Sequence, residues 1–313
     1  MIQQLVAGID IGGTNTTFGL VDESGRVLHK ETVSTEHFPT PENLAAVVCG
    51  QIKKSFEPFA GQFELKGIGI GAPNGNYFKG TIEFAPNLKW KGVVPLAKLF
   101  SERLNCKTLL TNDANAAAIG EMLFGGAKGM NDFIFITLGT GLGSGIVANG
   151  EIIYGHDSFA GELGHIIVFP DGRLCGCGRY GCLETYCSAT GIKRTYSDLL
   201  IGHHEEMDIG TVADAKYIYN KALAGDKNAI DAFNYTGDVL GLALANSVAY
   251  TSPEAIFLFG GLALAGDFIF KPTIESFERN LLSIYKNKIK ILPSKLREND
   301  AALLGAASLI WKA

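Results

Sequence analysis

The sequence predicts an α/β fold that uses one strand–turn–strand module twice, with a cysteine-rich loop inserted after the second copy. Three observations carry this. Asp10-Ile-Gly-Gly-Thr14 sits between two apolar strand patterns, and Leu138-Gly-Thr-Gly141 repeats that arrangement further along. Strand patterns alternate with helical spacing after each copy. Between Glu162 and Glu184 the chain carries one histidine, three cysteines and five glycines, a composition unlike the rest of the molecule.

Leu5 to Ile11 reads as a short apolar strand, Gly12-Gly13-Thr14-Asn15 as a turn, and Thr16 to Val21 as a second strand. Asp22-Glu-Ser-Gly25 is a hairpin signal, and Val27 to Val33 alternates as a third strand. Pro41 to Ser55 has helical spacing through Leu44, Val47, Val48 and Ile52. Leu65 to Ile70 is a buried strand, Pro95 to Leu104 a helix, and Thr108 to Leu110 a strand ending at Thr111-Asn112-Asp113. Three antiparallel strands followed by helix, strand, helix and strand form the ribonuclease-H-like pattern. It then recurs: Phe133 to Leu138, a glycine turn at Gly139–Gly143, Gly145 to Ala148, the hairpin pair Asn149-Gly150, and a third strand from Ile152. A long helix covers Asn228 to Ser252, Ala255 to Phe259 is a strand closing at Gly260-Gly261, Ile289 to Leu292 another strand, and Asp300 to Trp311 a last helix. The predicted division is a small domain, 1–115 plus about 299–313, and a large domain, 116–298, that carries the cysteine-rich loop.

Composition narrows the class. With 313 residues, 47% of them hydrophobic, the chain can bury on the order of 75% of its unfolded surface. A net charge of −5 without a basic run argues against nucleic acid as a partner. No apolar stretch approaches the roughly 20 residues of a membrane span, and the first ten residues lack the charge and apolar core of a secretory leader. Six cysteines in such a chain suit a reducing cytoplasm, where thiols bind metals more often than they pair.

His165, Cys175, Cys177 and Cys182 have the donor chemistry of a closed structural zinc site, with glycines that let a short loop turn its sulfurs inward. The plainer alternative is a set of buried free thiols, with Cys187 as a rival fourth ligand. Cys49, Cys106 and Cys187 otherwise read as ordinary buried thiols. Gly12, Gly13 and Thr14 form a candidate phosphate cradle, with Asp10 at the strand end placed to hold a magnesium-bound water. Gly139, Thr140 and Gly141 form a second cradle. Its glycine spacing superficially resembles a dinucleotide fingerprint, but a strand comes next where that motif requires a helix. Gly260 and Gly261 offer a flat backbone surface for an adenine ring. Asp113 precedes an alanine-rich helix; it reads either as an N-cap or as a general base for a sugar hydroxyl, with Asn112 beside it as donor and acceptor. Asn87, close to Trp90, offers another amide, or simply a turn with a packed aromatic. His203-His204 and Glu205-Glu206 read as a solvated loop without a role.

Taken together, Asp10-x-Gly-Gly-Thr14, Asn112-Asp113, Gly161-Glu-x-Gly-His165 and Cys175-x-Cys-Gly-x-x-Gly-Cys182-x-Glu184 resemble the ROK family of repressors, open reading frames and kinases, across essentially the whole chain. The resemblance implies an actin-like, hexokinase-type ATPase fold and phosphorylation of a hexose by ATP with magnesium. It implies Asp113 as catalytic base, zinc on His165, Cys175, Cys177 and Cys182, and sugar contacts from Asn87, Asn112, Glu162, His165 and Glu184. His165 would then join zinc to sugar. It also implies a homodimer, and domain closure that excludes water. Asn87-Leu-x-x-Trp90 is most similar to the glucokinase branch. Asn74-Gly-Asn76 replaces a Pro-Gly frequent in the family, which makes Asn76 a candidate extra sugar contact. The first strand begins too early for the winged helix of the family's repressors, so the expectation is an ATP-dependent glucokinase acting in glycolysis. Its rivals are kinases of fructose, mannose, N-acetylmannosamine or N-acetylglucosamine, a polyphosphate-using kinase, and a sugar sensor without turnover.

Overall fold

The computed structural model describes residues 2–202 and 214–313, so the His203–Glu206 reading lies outside the described residues. The chain divides into two compact units, the first formed by Met1–Met130, Ile152–Ala160 and Lys295–Ala313, the second by Asn131–Glu151 and Gly161–Ser294.

The first unit opens with β1 (Gln3–Ile11), β2 (Asn15–Asp22) and β3 (Val27–Ser34), an antiparallel meander. Helix α1 (Pro41–Phe56) starts where Thr40 accepts the Asn43 N–H and proline fills the first helical position. Next come β4 (Phe63–Ala72), a small antiparallel sheet of β5 (Gly75–Asn76), β6 (Thr81–Glu83) and β7 (Val93–Val94), and α2 (Leu96–Leu104), which stops at left-handed Asn105. Strand β8 (Thr108–Asn112) runs directly into α3 (Asp113–Phe124). The main sheet has the order β3-β2-β1-β4-β8, with β1, β4 and β8 parallel. One face buries Leu5, Ile9, Phe18, Ile68 and Ile70 among residues of α1 and α2, including Leu44, Val48 and Phe100.

The C-terminal helix (Glu298–Lys312) packs against β1, β4 and α3 at backbone distance. A β-carbon at Gly69 would lie 1.8 Å from the Ala306 carbonyl oxygen, and one at Gly305 would lie 2.8 Å from the Ala116 carbonyl. Helix α3 therefore belongs wholly to the first unit. The predicted boundary at 115 falls inside that helix, because α3 packs mainly on the chain's last helix and also on β4 and β8 of the same unit. Ile152–Ala160 also belongs to this unit: the Tyr154 ring stacks on Tyr77 with centroids 4.2 Å apart, and the buried Ser158 hydroxyl accepts the Tyr77 N–H at 2.7 Å.

The second unit repeats the plan. Strands β9 (Phe133–Leu138) and β10 (Leu142–Ala148) are antiparallel. Asn149 and Gly150 take positive φ values of 53° and 76° before the short β11 (Glu151–Ile152), as a tight hairpin requires. The helices α4 (Ala189–Gly202), α5 (Ala215–Leu223) and α6 (Lys227–Thr251) lead to β12 (Ala255–Phe259), α7 (Asp267–Asn280) and β13 (Lys290–Pro293). The sheet order β11-β10-β9-β12-β13 reproduces that of the first unit, with β9, β12 and β13 parallel. Leu240, Leu244 and Val248 of α6 lie in its core with Ile134, Ile136, Ile256 and Leu258. The duplication read from the glycine turns is thus a duplication of the whole sheet. Helices α4, α5 and α7 and the small β5–β7 sheet were not predicted, and β11 is shorter than expected.

Because the C-terminal helix touches the sheet through backbone atoms, Gly69→Ala is expected to destabilise the first unit by about 1–3 kcal/mol by overpacking. A lowered urea midpoint with zinc content unchanged would show this, and an unchanged midpoint would refute the close-packing account.

Candidate active site

In the first unit, parallel pairing sets Asp10 of β1 opposite Gly71 of β4, and Ala72 of β4 opposite Asn112 of β8. A methyl built on Gly71 would lie 3.7 Å from Asp10 Oδ1 and 3.7 Å from the Asp113 Cα. Gly71 thus lies between the two acidic residues, which the parallel register of β1, β4 and β8 brings to one spot. Asp10 is half-buried, and its carboxyl is pushed up to about 7, first by loss of water and then by the Asp113 charge.

The strand-to-helix junction assigns the capping role to Asn112 rather than Asp113. Asn112 is the extended N-cap of α3, and its Oδ1 accepts the Ala114 N–H at 2.8 Å. Asp113 Oδ1 shares that same N–H at 2.8 Å. Surrounding protein raises the Asp113 carboxyl above its ordinary range, and backbone hydrogen bonds from Ala114 and its own N–H only partly offset this. The residue is nonetheless exposed at the surface, so the rise is smaller than complete exclusion of water would give.

Asn87 sits against the first glycine turn. A β-carbon at Gly13 would lie 2.6 Å from the Asn87 carbonyl oxygen. Asn87 itself is exposed, but its neighbours Leu88 and Trp90 are buried, and the indole N–H bonds the Phe38 carbonyl at 3.1 Å. The Gly12 N–H bonds the Asn15 carbonyl at 2.8 Å and so closes the turn itself. Thr14, exposed, keeps its carbonyl on the Thr35 N–H. Asn76 is not an open amide. It is 1% exposed, and its Nδ2 bonds Glu83 Oε1 at 3.1 Å and the Asp157 carbonyl at 3.0 Å. It fastens the 152–160 segment to the small sheet, and the buried carboxylate of Glu83 completes the arrangement through Lys79 and Thr81.

In the second unit, the ligand atoms of His165, Cys175, Cys177 and Cys182 lie within 4.8 Å of one another. Cys175 Sγ is 3.7 Å from His165 Nδ1, and the Cys177 and Cys182 sulfurs are 3.6 Å apart. Zinc–sulfur bonds of about 2.3 Å at a tetrahedral angle place two sulfurs about 3.8 Å apart, so the donor set fits zinc. Burial raises the Cys177 thiol, but hydrogen bonds from the Arg179 backbone and guanidinium and from the neighbouring thiols outweigh it and bring it down to about 6. Cys187 is not part of the cluster; its buried thiol donates to the Thr236 carbonyl.

The cysteine-rich loop connects directly with the second glycine turn. Glu184 Oε2 accepts the Leu142 N–H at 3.0 Å, and Oε1 accepts from the Cys175 thiol at 3.8 Å. A β-carbon at Gly141 would fall 2.2 Å from Glu184 Oε2. The Gly139 N–H folds back to the Gly141 carbonyl at 3.0 Å. Thr140 is exposed, and its carbonyl accepts the Thr190 hydroxyl at 2.9 Å. This turn lines a cavity of about 460 Å³ together with Ala189, Phe233, Gly261, Leu262 and residues of α5. Gly260 stands beside it at φ 100°, with its α-carbon facing the Leu138 backbone. Glu162 is exposed just before the 3₁₀ turn Leu163–His165, and its carbonyl accepts the His165 N–H at 3.0 Å. Asp10, Asn87, Asn112 and Asp113 thus gather in the first unit, and Glu162, His165, Glu184 and the second turn in the other.

Residues 6–313 match the family model described as the ROK family. The chain belongs to the ROK family. It is 34% identical to a glucokinase of Thermotoga maritima over 97% of this chain and 96% of that one, and 36% identical to a glucokinase of Streptomyces coelicolor over 97% of each. A crystal structure of a ROK family glucokinase from Streptomyces griseus, in complex with glucose and AMPPNP, superposes with a TM-score of 0.81. It is 34% identical and covers 99% of this chain and 100% of its own. The actin-like fold expected from the sequence is the fold of these relatives. No helix among the described residues is long and apolar enough to cross a membrane.

Two outcomes are expected of the purified chain. Cys177→Ser should lower zinc content from about one ion per chain, measured by elemental analysis; full retention would remove Cys177 from the ligand set. The raised Asp10 carboxyl means the fold prefers the protonated form, so stability is lost as pH climbs from 3.8 towards about 7. Without nucleotide or magnesium, the gain in urea midpoint from Asp10→Asn should therefore grow across that window and level off above it. A gain independent of pH would contradict the assignment.

Proposed function

We propose that this chain is an ATP-dependent kinase that phosphorylates the 6-hydroxyl of glucose. The observation that carries the reading is Asp113: a carboxylate raised above its usual range, open to solvent, on the first residue of α3 and beside Asp10. Two glucokinase relatives and the glucose–AMPPNP complex of a third support the substrates.

In this reading the sugar O6 attacks the γ-phosphorus while Asp113 takes its proton. The bond from that phosphorus to the bridging oxygen breaks and ADP leaves. A base raised towards neutrality suits this task, because proton transfer is most effective when the pKa lies near the working pH. Asp113 Oδ1 already accepts from Ala114, which leaves Oδ2 for the hydroxyl. Asn112 uses its Oδ1 on the helix and keeps its amide N–H groups for a sugar oxygen. Asn87 and Glu162, both exposed, supply further sugar contacts.

Zinc held by His165, Cys175, Cys177 and Cys182 fixes the loop and takes no part in the transfer. Nδ1 of His165 faces Cys175, so Nε2 remains for a sugar hydroxyl. Cys175 as a ligand is a thiolate with no proton to give Glu184, which frees Oε1 for the same sugar. Gly139, Thr140 and Gly141 hold phosphate, Gly260 and Gly261 border the base, and the turn Gly12–Thr14 meets the terminal phosphate. Magnesium, positioned through Asp10, would neutralise charge on the transferring group, since such catalysis is chiefly positioning and electrostatics. Cytoplasmic location and the family's homodimer belong to the same reading, and sedimentation of the purified chain tests the latter.

Removal of the base should cut turnover by about 10²–10⁴. Asp113→Asn should do so with glucose affinity close to wild type and a urea midpoint at or above wild type, assayed as ADP release over a panel of hexoses and N-acetylhexosamines. A fall in stability matching the fall in rate would return Asp113 to a structural role. Faster turnover on another sugar would reassign the substrate.

A further inference from the structure

The chain leaving zinc ligand Cys182 does not run off into solvent; it is sewn onto the second glycine turn. Three contacts do this within seven residues of sequence, Glu184 to Thr190. Glu184 Oε2 accepts the Leu142 N–H at 3.0 Å, the Ala189 N–H bonds the Gly139 carbonyl at 2.8 Å, and the Thr190 hydroxyl bonds the Thr140 carbonyl at 2.9 Å. The turn's internal bond, Gly139 N–H to the Gly141 carbonyl, spans only three residues. The β9–β10 pairing of Leu138 with Leu142 closes its base, and the partner segment holds its tip.

That segment is rigid. The Leu183 N–H bonds the Ile166 carbonyl, the Thr185 hydroxyl bonds the Cys182 carbonyl, and Leu183, Tyr186, Cys187 and Ser188 are all buried. A carboxylate is also an odd neighbour for a turn meant to receive phosphate, since it repels an anion and occupies one backbone donor. It makes sense if its job is to fix the turn. The carboxylate lies close against Gly141, where a β-carbon would displace it from its present position.

We infer that the segment from Glu184 to Thr190 is a brace through which the zinc site sets the geometry of the nucleotide-binding turn, with Glu184 and Thr190 as positioning residues for ATP. The zinc site then serves the nucleotide as well as the sugar. The inference rests on the kinase reading for the identity of the ligand, while the mechanical link between the two loops stands without it.

The test has two arms. Without any nucleotide, amide exchange at Leu142 is tracked by mass spectrometry in wild type, zinc-stripped protein, Glu184→Ala and Thr190→Val. Peptides from β12 report whether the unit as a whole stays folded. The brace predicts faster exchange at Leu142 in zinc-stripped protein and in Glu184→Ala, with β12 still protected. In the second arm AMPPNP and glucose are titrated separately. Thr190→Val, which loses one hydrogen bond, should weaken AMPPNP by about five-fold, with glucose affinity and zinc content unchanged. Unchanged Leu142 exchange and unchanged AMPPNP affinity in both variants would overturn the brace. Wild-type protein that binds no AMPPNP, with the exchange results as predicted, would instead bring down the kinase reading and the nucleotide role together.

Discussion

The parallel pairing of β1, β4 and β8 is the constraint on which the first unit's chemistry depends. Parallel strands in one sheet end at the same edge, so residues far apart in sequence arrive together without any loop to steer them. Here the register delivers Asp10, Gly71 and Asn112 to that edge, and the chain turns into α3 at once, which places Asp113 there too. The C-terminal helix holds the arrangement from the other face. Its backbone meets Gly69 of β4 and, through Gly305, the backbone of α3. Neither strand ends nor helix start can shift without opening a contact that has no side chain to adapt.

The same architecture is used differently in the second unit. Its sheet has the same order, but the strand ends carry glycines rather than acids: Gly139–Gly141 after β9, and Gly260-Gly261 after β12. One copy of the module presents carboxylates and amides, the other backbone and a cavity. The acid that does reach the second copy, Glu184, arrives from outside it, on the far side of the cysteine loop. An insertion thus supplies to the second copy what the first has within its own strands.

Much of this was legible because its signals are local. Phe133–Leu138 and Ala255–Phe259 were bounded correctly as apolar runs closed by glycine, and the clustering of His165, Cys175, Cys177 and Cys182 was announced by their spacing. What escaped lacked such signals. Strands β5 to β7 have two or three residues each, too few to show a period, and α7 carries Pro272 and a mixed polar surface. Helix α3 was visible, but its membership of the first unit rests on the far end of the chain. Asn76 shows the limit most clearly. Its departure from the family pattern signalled something, and a buried clamp on Asp157 and Glu83 has the same sequence signature as a sugar contact. The bond between Glu184 and Leu142 joins residues 42 apart, and nothing in either neighbourhood foretells it.

The most direct test of the account is the chemical identity of what the protein makes. Wild-type chain mixed with glucose, ATP and magnesium, monitored by phosphorus NMR, is predicted to yield ADP and the resonance of a phosphate ester on the sugar 6-position in equal amounts. Release of inorganic phosphate without a sugar ester, or no loss of ATP in zinc-replete protein that binds glucose, would contradict it.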